Sequence, residues 1–154
     1  MAVKPIPDGY TSLTPYLIVT GAQKAIDYYT QVFGATELMR MEGPGGAIVH
    51  AELQIGTARM MLADEMPDMG FRSPQSIGGC GSGLMLYVED VDRVFEKAVT
   101  AGATVMRKVE DQFYGDRSGT VIDPFGHKWT ISTQVEDVSP EELQRRMSSW
   151  SQPS

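Results

Sequence analysis

The stretch GATELMR at residues 34–40 returns as GATVMR at residues 102–107, each time directly after an amphipathic segment of similar length. A second pair lies further along the chain: the turn at residues 55–57 is soon followed by Arg-Met-Met-Leu, and the turn at residues 125–127 by Lys-Trp-Thr-Ile. The offset between matching stretches is 68 to 70 residues. A repeat at a nearly constant offset predicts two copies of one supersecondary unit.

Hydrophobic periodicity predicts the same order of elements in both halves. The first half reads as a strand, a helix and three strands, at residues 14–20, 22–33, 37–41, 48–55 and 59–63. The second half repeats this order at residues 84–88, 91–101, 104–108, 119–123 and 128–133, with a loop at 111–117. The sequence Ser-Pro-Glu-Glu at residues 139–142 is typical of a helix start, so a C-terminal helix is expected at 140–147. We therefore expect an α+β fold with two βαβββ modules, residues 11–70 and 83–134, joined within one domain (1–154) by a Gly-rich linker, 76–83.

Charge and composition limit the classes of partner. The net charge is −7 and the pI is about 4.7, which disfavours nucleic acid and anionic membranes because phosphates would repel the chain. A single cysteine, Cys80, cannot form an internal disulfide, and residues 1–12 contain no apolar run typical of a leader. No stretch approaches the roughly 20 apolar residues of a membrane span. These features together predict a cytoplasmic protein.

The motifs AIDYYTQVFGA (residues 25–35) and IDPFGHKW (residues 122–129), placed in two strand-helix-three-strand units, resemble the vicinal oxygen chelate superfamily over residues 11–133. That superfamily includes glyoxalase I, extradiol dioxygenases, fosfomycin-modifying enzymes and bleomycin-resistance proteins. The stretches HAELQIG (50–56), LMLYVEDVD (84–92) and QFYGDRSGTVIDPFGHKWTI (112–131) are similar to its PhnB-like branch. The resemblance implies curved mixed sheets around a cavity, with the helices outside, and a homodimer.

Metal-dependent members of the superfamily hold a divalent cation with His and Glu side chains, two from each half. Carried onto this sequence, the ligand positions fall at Thr14, Met61, Gly83 and Thr130, and none of them is His, Asp or Glu. The side chains at these positions are two hydroxyls, a thioether and a hydrogen atom. None of them suits the divalent cations that these enzymes bind through imidazole and carboxylate groups. We therefore expect no metal at the usual site and no other cofactor, and a metal-dependent glyoxalase or dioxygenase activity is disfavoured.

The same alignment predicts which strand side chains point into the cavity, because side chains alternate along a strand. A two-residue turn at 56–57 would place Glu52 opposite Met61 and Gln54 opposite Arg59. The aromatic and charged loop at residues 113–117 is expected at the cavity rim. The candidate ligand-binding residues are Thr14, Tyr16, His50, Glu52, Met61, Tyr87, Tyr114, Arg117 and Thr130.

Glu52 and His50 are the candidate catalytic residues, and each also has a structural interpretation. An inward carboxylate needs a partner, which for Glu52 would be Arg59 or Arg117, whereas His50 could be a polar residue at the sheet edge. A displaced metal site using both side chains would need a third ligand that the sequence does not supply. For the loop, the structural interpretation is that Asp116 and Arg117 brace each other or the turn at residues 123–127.

Three functions remain open at this point. The first is a small-molecule-binding protein of the glyoxalase/bleomycin-resistance type, with a ligand that is cationic or hydrophobic. The second is a metal-independent lyase or isomerase with Glu52 or His50 as general base. The third is a dimeric interaction module without a ligand. Nucleotide-binding glycine motifs, a nucleophile elbow and the glycine-rich loop of a methyltransferase are all missing from the sequence.

Overall fold

Two βαβββ units form the protein in a computed structural model that describes residues 2–150, and the chain divides between Cys80 and Gly81. The first unit contains β1 (Tyr16–Val19), α1 (Ala22–Phe33), β2 (Thr36–Glu42), β3 (Ile48–Ile55), β4 (Ala58–Asp64) and the short helix α2 (Pro74–Ile77). The second contains β5 (Gly83–Tyr87), α3 (Val91–Thr100), β6 (Thr104–Asp111), β7 (Asp116–Ile122), β8 (Lys128–Gln134) and α4 (Pro140–Ser149). One-turn 3₁₀ helices lie at Pro44–Gly46 and Pro67–Met69. The predicted α+β class and the order of elements are confirmed.

The first sheet has the strand order β1-β4-β3-β2, with β1 and β4 parallel and the other pairs antiparallel. Helix α1 packs on one face of this sheet against β3 and β4, and its apolar stripe is buried there, as are Leu53 of β3 and Leu62 of β4. The carboxylate of Asp64 accepts hydrogen bonds from the backbone N–H groups of Gly21 and Ala22, and so caps the helix from the end of β4. Gly34 ends α1 at φ 68°, a left-handed conformation that glycine adopts without strain.

The second sheet repeats this plan with the order β5-β8-β7-β6. Helix α3 begins at the side-chain cap of Asp90, whose carboxylate accepts from the N–H of Arg93 at 3.1 Å. The ring of Phe95 on α3 lies directly over Gly119 of β7, where an added Cβ would fall 2.6 Å from the Phe95 Cε2 atom. Glycine at position 119 therefore allows the helix to approach the sheet closely.

The hairpin between β7 and β8 is organised by one buried carboxylate. Oδ1 of Asp123 accepts from the N–H groups of Phe125 and His127, and Oδ2 accepts from the indole N–H of Trp129. His127 is buried in this hairpin, and its carbonyl accepts from the Asp123 N–H at 2.8 Å. This carboxylate therefore accounts for the Asp-Pro-Phe-Gly-His sequence as a structural turn.

The connector after β4 is held by hydrogen bonds along much of its length. Ser73 caps α2, its hydroxyl lies 2.9 Å from that of Thr20, and its N–H donates to the carboxylate of Glu65. Hydrogen bonds from Ser76 and from Ser73 hold the pKa of Glu65 at about 2, so this carboxylate is charged at neutral pH. A bridge between Met66 and Phe71 closes the loop around the 3₁₀ turn.

Several strand boundaries differ from the prediction, with clear physical causes. β1 starts at Tyr16 and not at residue 14, because Pro15 has no N–H, although its carbonyl accepts from the Met61 N–H. The expected loop at 111–117 is wrong in extent: a tight turn at residues 112–115 joins β6 to β7, with Gly115 at φ 99°. Asp116 and Arg117 are therefore strand residues. Helix α4 runs to Ser149, two residues past the predicted end.

Within residues 2–150, no helix is long and apolar enough to cross a membrane.

Candidate functional site

Each sheet has one face covered by a helix and one face opposite it, which we call the helix-free face. In the first unit the register places Glu52 opposite Met61 and Gln54 opposite Arg59, as the turn geometry predicts. Residues directly opposite each other in an antiparallel pair share a face. The helix-free face of the first sheet accordingly carries Tyr16, Met39, Met41, His50, Glu52, Gln54, Arg59 and Met61.

Three of these side chains and one from outside the sheet form a continuous hydrogen-bonded chain. The Tyr16 hydroxyl lies 2.8 Å from Nδ1 of His50, and Nε2 of His50 lies 3.2 Å from Oε1 of Glu52. The hydroxyl of Tyr10 donates to the other carboxylate oxygen, Oε2 of Glu52. Because an ionised carboxylate only accepts, Nε2 of His50 carries a proton, and in the neutral ring Nδ1 then accepts from Tyr16. We call this set the Tyr-His-Glu chain: Tyr10, Glu52, His50 and Tyr16.

Tyr10 reaches Glu52 from the segment before β1, which has no helix or strand. Arg59 holds this segment in two ways: its guanidinium lies 4.7 Å from the centroid of the Tyr10 ring, and its Nη1 donates to the carbonyl of Asp8 at 3.1 Å. The Nε of Arg59 also donates to Gln54. Arg59 is thus adjacent to Glu52 without forming a salt bridge with it among the described residues.

The electrostatics of the Tyr-His-Glu chain favour one protonation pattern. The hydrogen bond from Tyr10 lowers the pKa of Glu52, with the hydrogen bond from His50 acting in the same direction and burial opposing both. Burial raises the pKa of Tyr10 and of Tyr16, and the Glu52 charge adds to both shifts. At neutral pH the chain therefore contains a carboxylate and two un-ionised phenols.

The second unit has its own polar cluster on the helix-free face, centred on the buried carboxylate of Asp116. Oδ2 of Asp116 accepts from the Tyr87 hydroxyl at 2.8 Å and from the Ser132 hydroxyl at 2.9 Å. The hydrogen bond to Asp116 raises the pKa of Tyr87, and burial adds to the shift. Tyr87 is therefore un-ionised at neutral pH and acts as a donor to Asp116.

Further hydroxyl groups border this second cluster. The Tyr114 hydroxyl lies 3.5 Å from that of Ser118, and the Thr120 and Thr130 hydroxyls lie 2.9 Å apart. Helix α4 fixes the turn that carries Tyr114, since Arg146 donates to the Phe113 carbonyl. The result is a hydroxyl-rich surface with one carboxylate at its centre.

The sequence-predicted site residues divide between the two units. Tyr16, His50, Glu52 and Met61 share the helix-free face of the first sheet, and Tyr87 and Thr130 share that of the second, with Tyr114 on the adjoining turn. Thr14 lies before β1 and has no strand partner.

Arg117 is not where the loop prediction placed it. As a strand residue one position from Asp116, it points to the other face, where its guanidinium binds Asp92 of α3 at 2.9 Å and Asp111 at 3.1 Å. The bracing predicted between Asp116 and Arg117 is therefore wrong, and so is a pairing of Glu52 with Arg117. Arg117 ties helix α3 to the sheet.

The positions that correspond to metal ligands in the superfamily do not fit a divalent cation. Met61 offers a thioether, Gly83 has no side chain, and the Thr130 hydroxyl is bonded to Thr120. Among residues 2–150 the structure brings together no group of three or more His, Cys, Asp or Glu side chains that could hold a metal ion. His50 and Glu52 form a contact with each other and with two tyrosines instead.

Comparisons with known proteins agree with this description. The family model of the Glyoxalase/Bleomycin resistance protein/Dioxygenase superfamily matches residues 10–131, which confirms the resemblance drawn from the motifs. The uncharacterized protein Rv0887c of Mycobacterium tuberculosis is 46% identical over 141 residues, covering 90% of this chain and 83% of that protein.

Two solved structures show the same fold. TioX from Micromonospora sp. ML1 is similar with a TM-score of 0.63 and 26% identity, over 84% of this chain and 100% of TioX. A Bacillus cereus PhnB protein, described as a putative 3-demethylubiquinone-9 3-methyltransferase, is similar with a TM-score of 0.64 and 17% identity, over 80% and 99% of the two chains.

Proposed function

The chain belongs to the glyoxalase/bleomycin resistance/dioxygenase superfamily, and we propose that within it this protein binds a small amphipathic organic molecule without a metal ion. The observation that carries the proposal is the combination, on one face of the first sheet, of the Tyr-His-Glu chain with large apolar side chains left in solvent. Tyr16 is 45% exposed and Met41 51% exposed, beside a carboxylate that is largely covered. Ligand sites commonly combine apolar surface with a few positioned polar groups in this way.

The methionines favour an apolar or aromatic part in the ligand. Met39 lies opposite Glu52 and Met41 opposite His50 in the sheet register, so both thioethers border the polar chain. Methionine side chains are flexible and polarisable, and they adapt to ligands of irregular shape and to aromatic rings. The ligand is therefore expected to place a hydrophobic part against Met39, Met41 and Tyr16.

The charge at the site favours neutral or cationic ligands over anionic ones. Glu52 keeps its negative charge at neutral pH because its hydrogen bonds lower its pKa, and the whole chain carries −7. An anionic ligand would meet repulsion from both sources.

The hydrogen bonding also favours binding over the lyase or isomerase alternative. A general base needs a pKa near the working pH and a free lone pair directed at the substrate. Glu52 has a lowered pKa, and each of its oxygens already accepts one hydrogen bond. Proton abstraction would convert Glu52 to its neutral acid, which the hydrogen bonds from Tyr10 and His50 disfavour.

A titration with matched fluorescent dyes tests the proposal. We expect the three-ring cation 9-aminoacridinium to bind the wild-type protein and anthracene-9-carboxylate, of similar shape and opposite charge, to bind more weakly. Glu52→Gln should weaken binding of the cation by about 1 to 3 kcal/mol, because the negative charge is lost. Glu96→Gln removes the same charge from an exposed position on α3 and should leave both affinities unchanged.

Three results would contradict the proposal. Equal binding of both dyes with no response to Glu52→Gln would mean that the helix-free face of the first sheet is not the site. No binding of either dye at millimolar concentration would favour an interaction module without a ligand. Turnover of a carbonyl substrate that Glu52→Gln abolishes would favour the lyase or isomerase.

A further inference from the structure

The sheet of the first unit binds the side chain of Tyr10 as it would bind a ligand. Its hydroxyl donates to Glu52, and its ring lies under the guanidinium of Arg59 at 4.7 Å. The sheet therefore recognises both parts of a phenol, the hydroxyl through a carboxylate and the aromatic ring through a cation.

The segment that carries Tyr10 is held to the sheet by few contacts. It contains no helix or strand, and the hydrogen bonds and ring contacts of residues 8–10 with β3 and β4 are those of Tyr10 with Glu52 and Arg59 and the bond from Arg59 to the Asp8 carbonyl. Gly9, between Asp8 and Tyr10, has φ 82°, and a Cβ there would overlap the guanidinium of Arg59. Glycine thus lets this segment lie directly against the guanidinium.

We propose that Glu52 and Arg59 form a phenol-binding subsite, which Tyr10 occupies when no ligand is present, and that the ligand carries a phenolic hydroxyl that displaces Tyr10. This inference rests on the proposed function for its biological meaning, and it names the chemical class of the ligand group that reaches Glu52.

The two groups of the subsite select against other chemistry. A carboxylate would be repelled by Glu52, and an ammonium group placed in the position of the ring would be repelled by Arg59. An aliphatic alcohol could donate to Glu52 but has no aromatic face for the guanidinium. A phenol satisfies both groups, as Tyr10 does.

Occupation by Tyr10 means that a ligand must compete with a tethered group. A group on a short flexible tether has an effective concentration on the order of millimolar. Removing the tethered phenol therefore makes the subsite available and raises the apparent affinity for a free phenol.

The test uses p-cresol, which is the side chain of tyrosine as a free molecule. We expect p-cresol to bind Tyr10→Ala at least tenfold more tightly than wild type, measured by ligand-observed NMR. Toluene, which lacks the hydroxyl, should show no such gain, and adding Glu52→Gln to Tyr10→Ala should reduce it several-fold, because the amide keeps a hydrogen bond to the phenol but not the charge. Ile6→Ala removes a half-exposed apolar side chain from the same segment and should behave like wild type.

Tyr10→Phe provides a second variant that keeps the ring in place. It loses only the bond to Glu52, so p-cresol should bind it several-fold more tightly than wild type. Equal affinity of p-cresol for wild type, Tyr10→Ala and Tyr10→Phe would overturn the proposal, as would equal gains for toluene and p-cresol.

The failure of this inference differs from that of the proposed function. Charge-selective dye binding that depends on Glu52, together with no gain in p-cresol affinity, would contradict the phenol subsite but still support the proposed binding function. A gain in p-cresol affinity without dye binding would support the phenol subsite and contradict the proposal that the protein binds an amphipathic ligand.

Discussion

Replacing Glu52 by Gln tests how much the half-buried charge contributes to the fold. The amide keeps the shape of the carboxylate, and it can accept from Nε2 of His50 while its NH₂ group donates to the Tyr10 hydroxyl. What is lost is the charge in two hydrogen bonds. A charge-assisted bond is worth about 1 kcal/mol more than a neutral one, which gives a sum of about 2 kcal/mol. The side chain is 22% exposed, so solvent reduces the expected loss in the free energy of unfolding to about 1 to 2 kcal/mol.

Urea denaturation of wild type and Glu52→Gln at several pH values measures this loss. The pKa of Glu52 is lowered in the folded state from its usual 4.5, so its stabilising contribution is fully present above pH 4.5. The contribution disappears as the pH falls through the folded-state pKa, and the two proteins should then be equally stable. Near pH 7 the melting temperature of the variant should be lower by roughly 2 to 8 °C.

Two results would refute this reasoning. A stability difference that stays constant from pH 7 to pH 3 could not come from the Glu52 charge. Equal stability at pH 7 would mean that the hydrogen bonds from Tyr10 and His50 do not favour the carboxylate over the amide. Glu96→Gln is the control, and as an exposed substitution it should change stability by less than about 0.5 kcal/mol.

Four further outcomes are expected. Gly119→Ala should lower stability by about 1 to 3 kcal/mol in urea denaturation, because its Cβ would overlap the Phe95 ring; an unchanged midpoint would contradict the packing. Asp116→Asn should cost about 2 to 3 kcal/mol, since the carboxylate is buried and accepts from Tyr87 and Ser132; a loss under 1 kcal/mol would be too small for a buried charged acceptor. Elemental analysis after dialysis should find no stoichiometric Ni, Zn, Fe or Mn, whereas one ion per chain that is lost in Glu52→Gln would show a metal site. Light scattering at tens of micromolar (roughly the range in which moderate interfaces assemble) should show a dimer, because Met69 and Phe71 leave apolar surface in solvent; a monomer would contradict this.

The fold and the strand faces could be predicted from the sequence because both depend on local patterns. The repeat, the helical stripe of α1 and the alternation along β3 each need only neighbouring residues. The two-residue turn then determines the pairing of Glu52 with Met61. Placing His50 and Glu52 on one face required no knowledge of distant contacts.

The partners of these residues could not be predicted in the same way. Tyr10 is 42 positions from Glu52 in sequence and lies in a segment without periodicity, so no local signal connects the two. Asp116 was missed for another reason: the composition of residues 111–117 indicates a loop, whereas the left-handed Gly115 makes a tight turn and starts β7 at Asp116. Because the strand was predicted to start only at residue 119, both residues were expected at the cavity rim. In the structure Asp116 lies at the centre of a polar cluster, and Arg117 lies on the helix-covered face.

The carboxylates of Glu52 and Asp116 lie on the helix-free faces of the two units, but their hydrogen-bond donors are held in place differently. A covered carboxylate needs donors, and each unit supplies a tyrosine hydroxyl. Tyr87 belongs to strand β5, and Ser132 to the adjacent β8, so the donors of Asp116 are fixed by backbone pairing. Tyr10 lies outside any strand, so this donor of Glu52 can leave without breaking a sheet, while His50 stays in β3. Asp116 should therefore contribute more to stability than Glu52, and exchange with a ligand should be confined to Glu52.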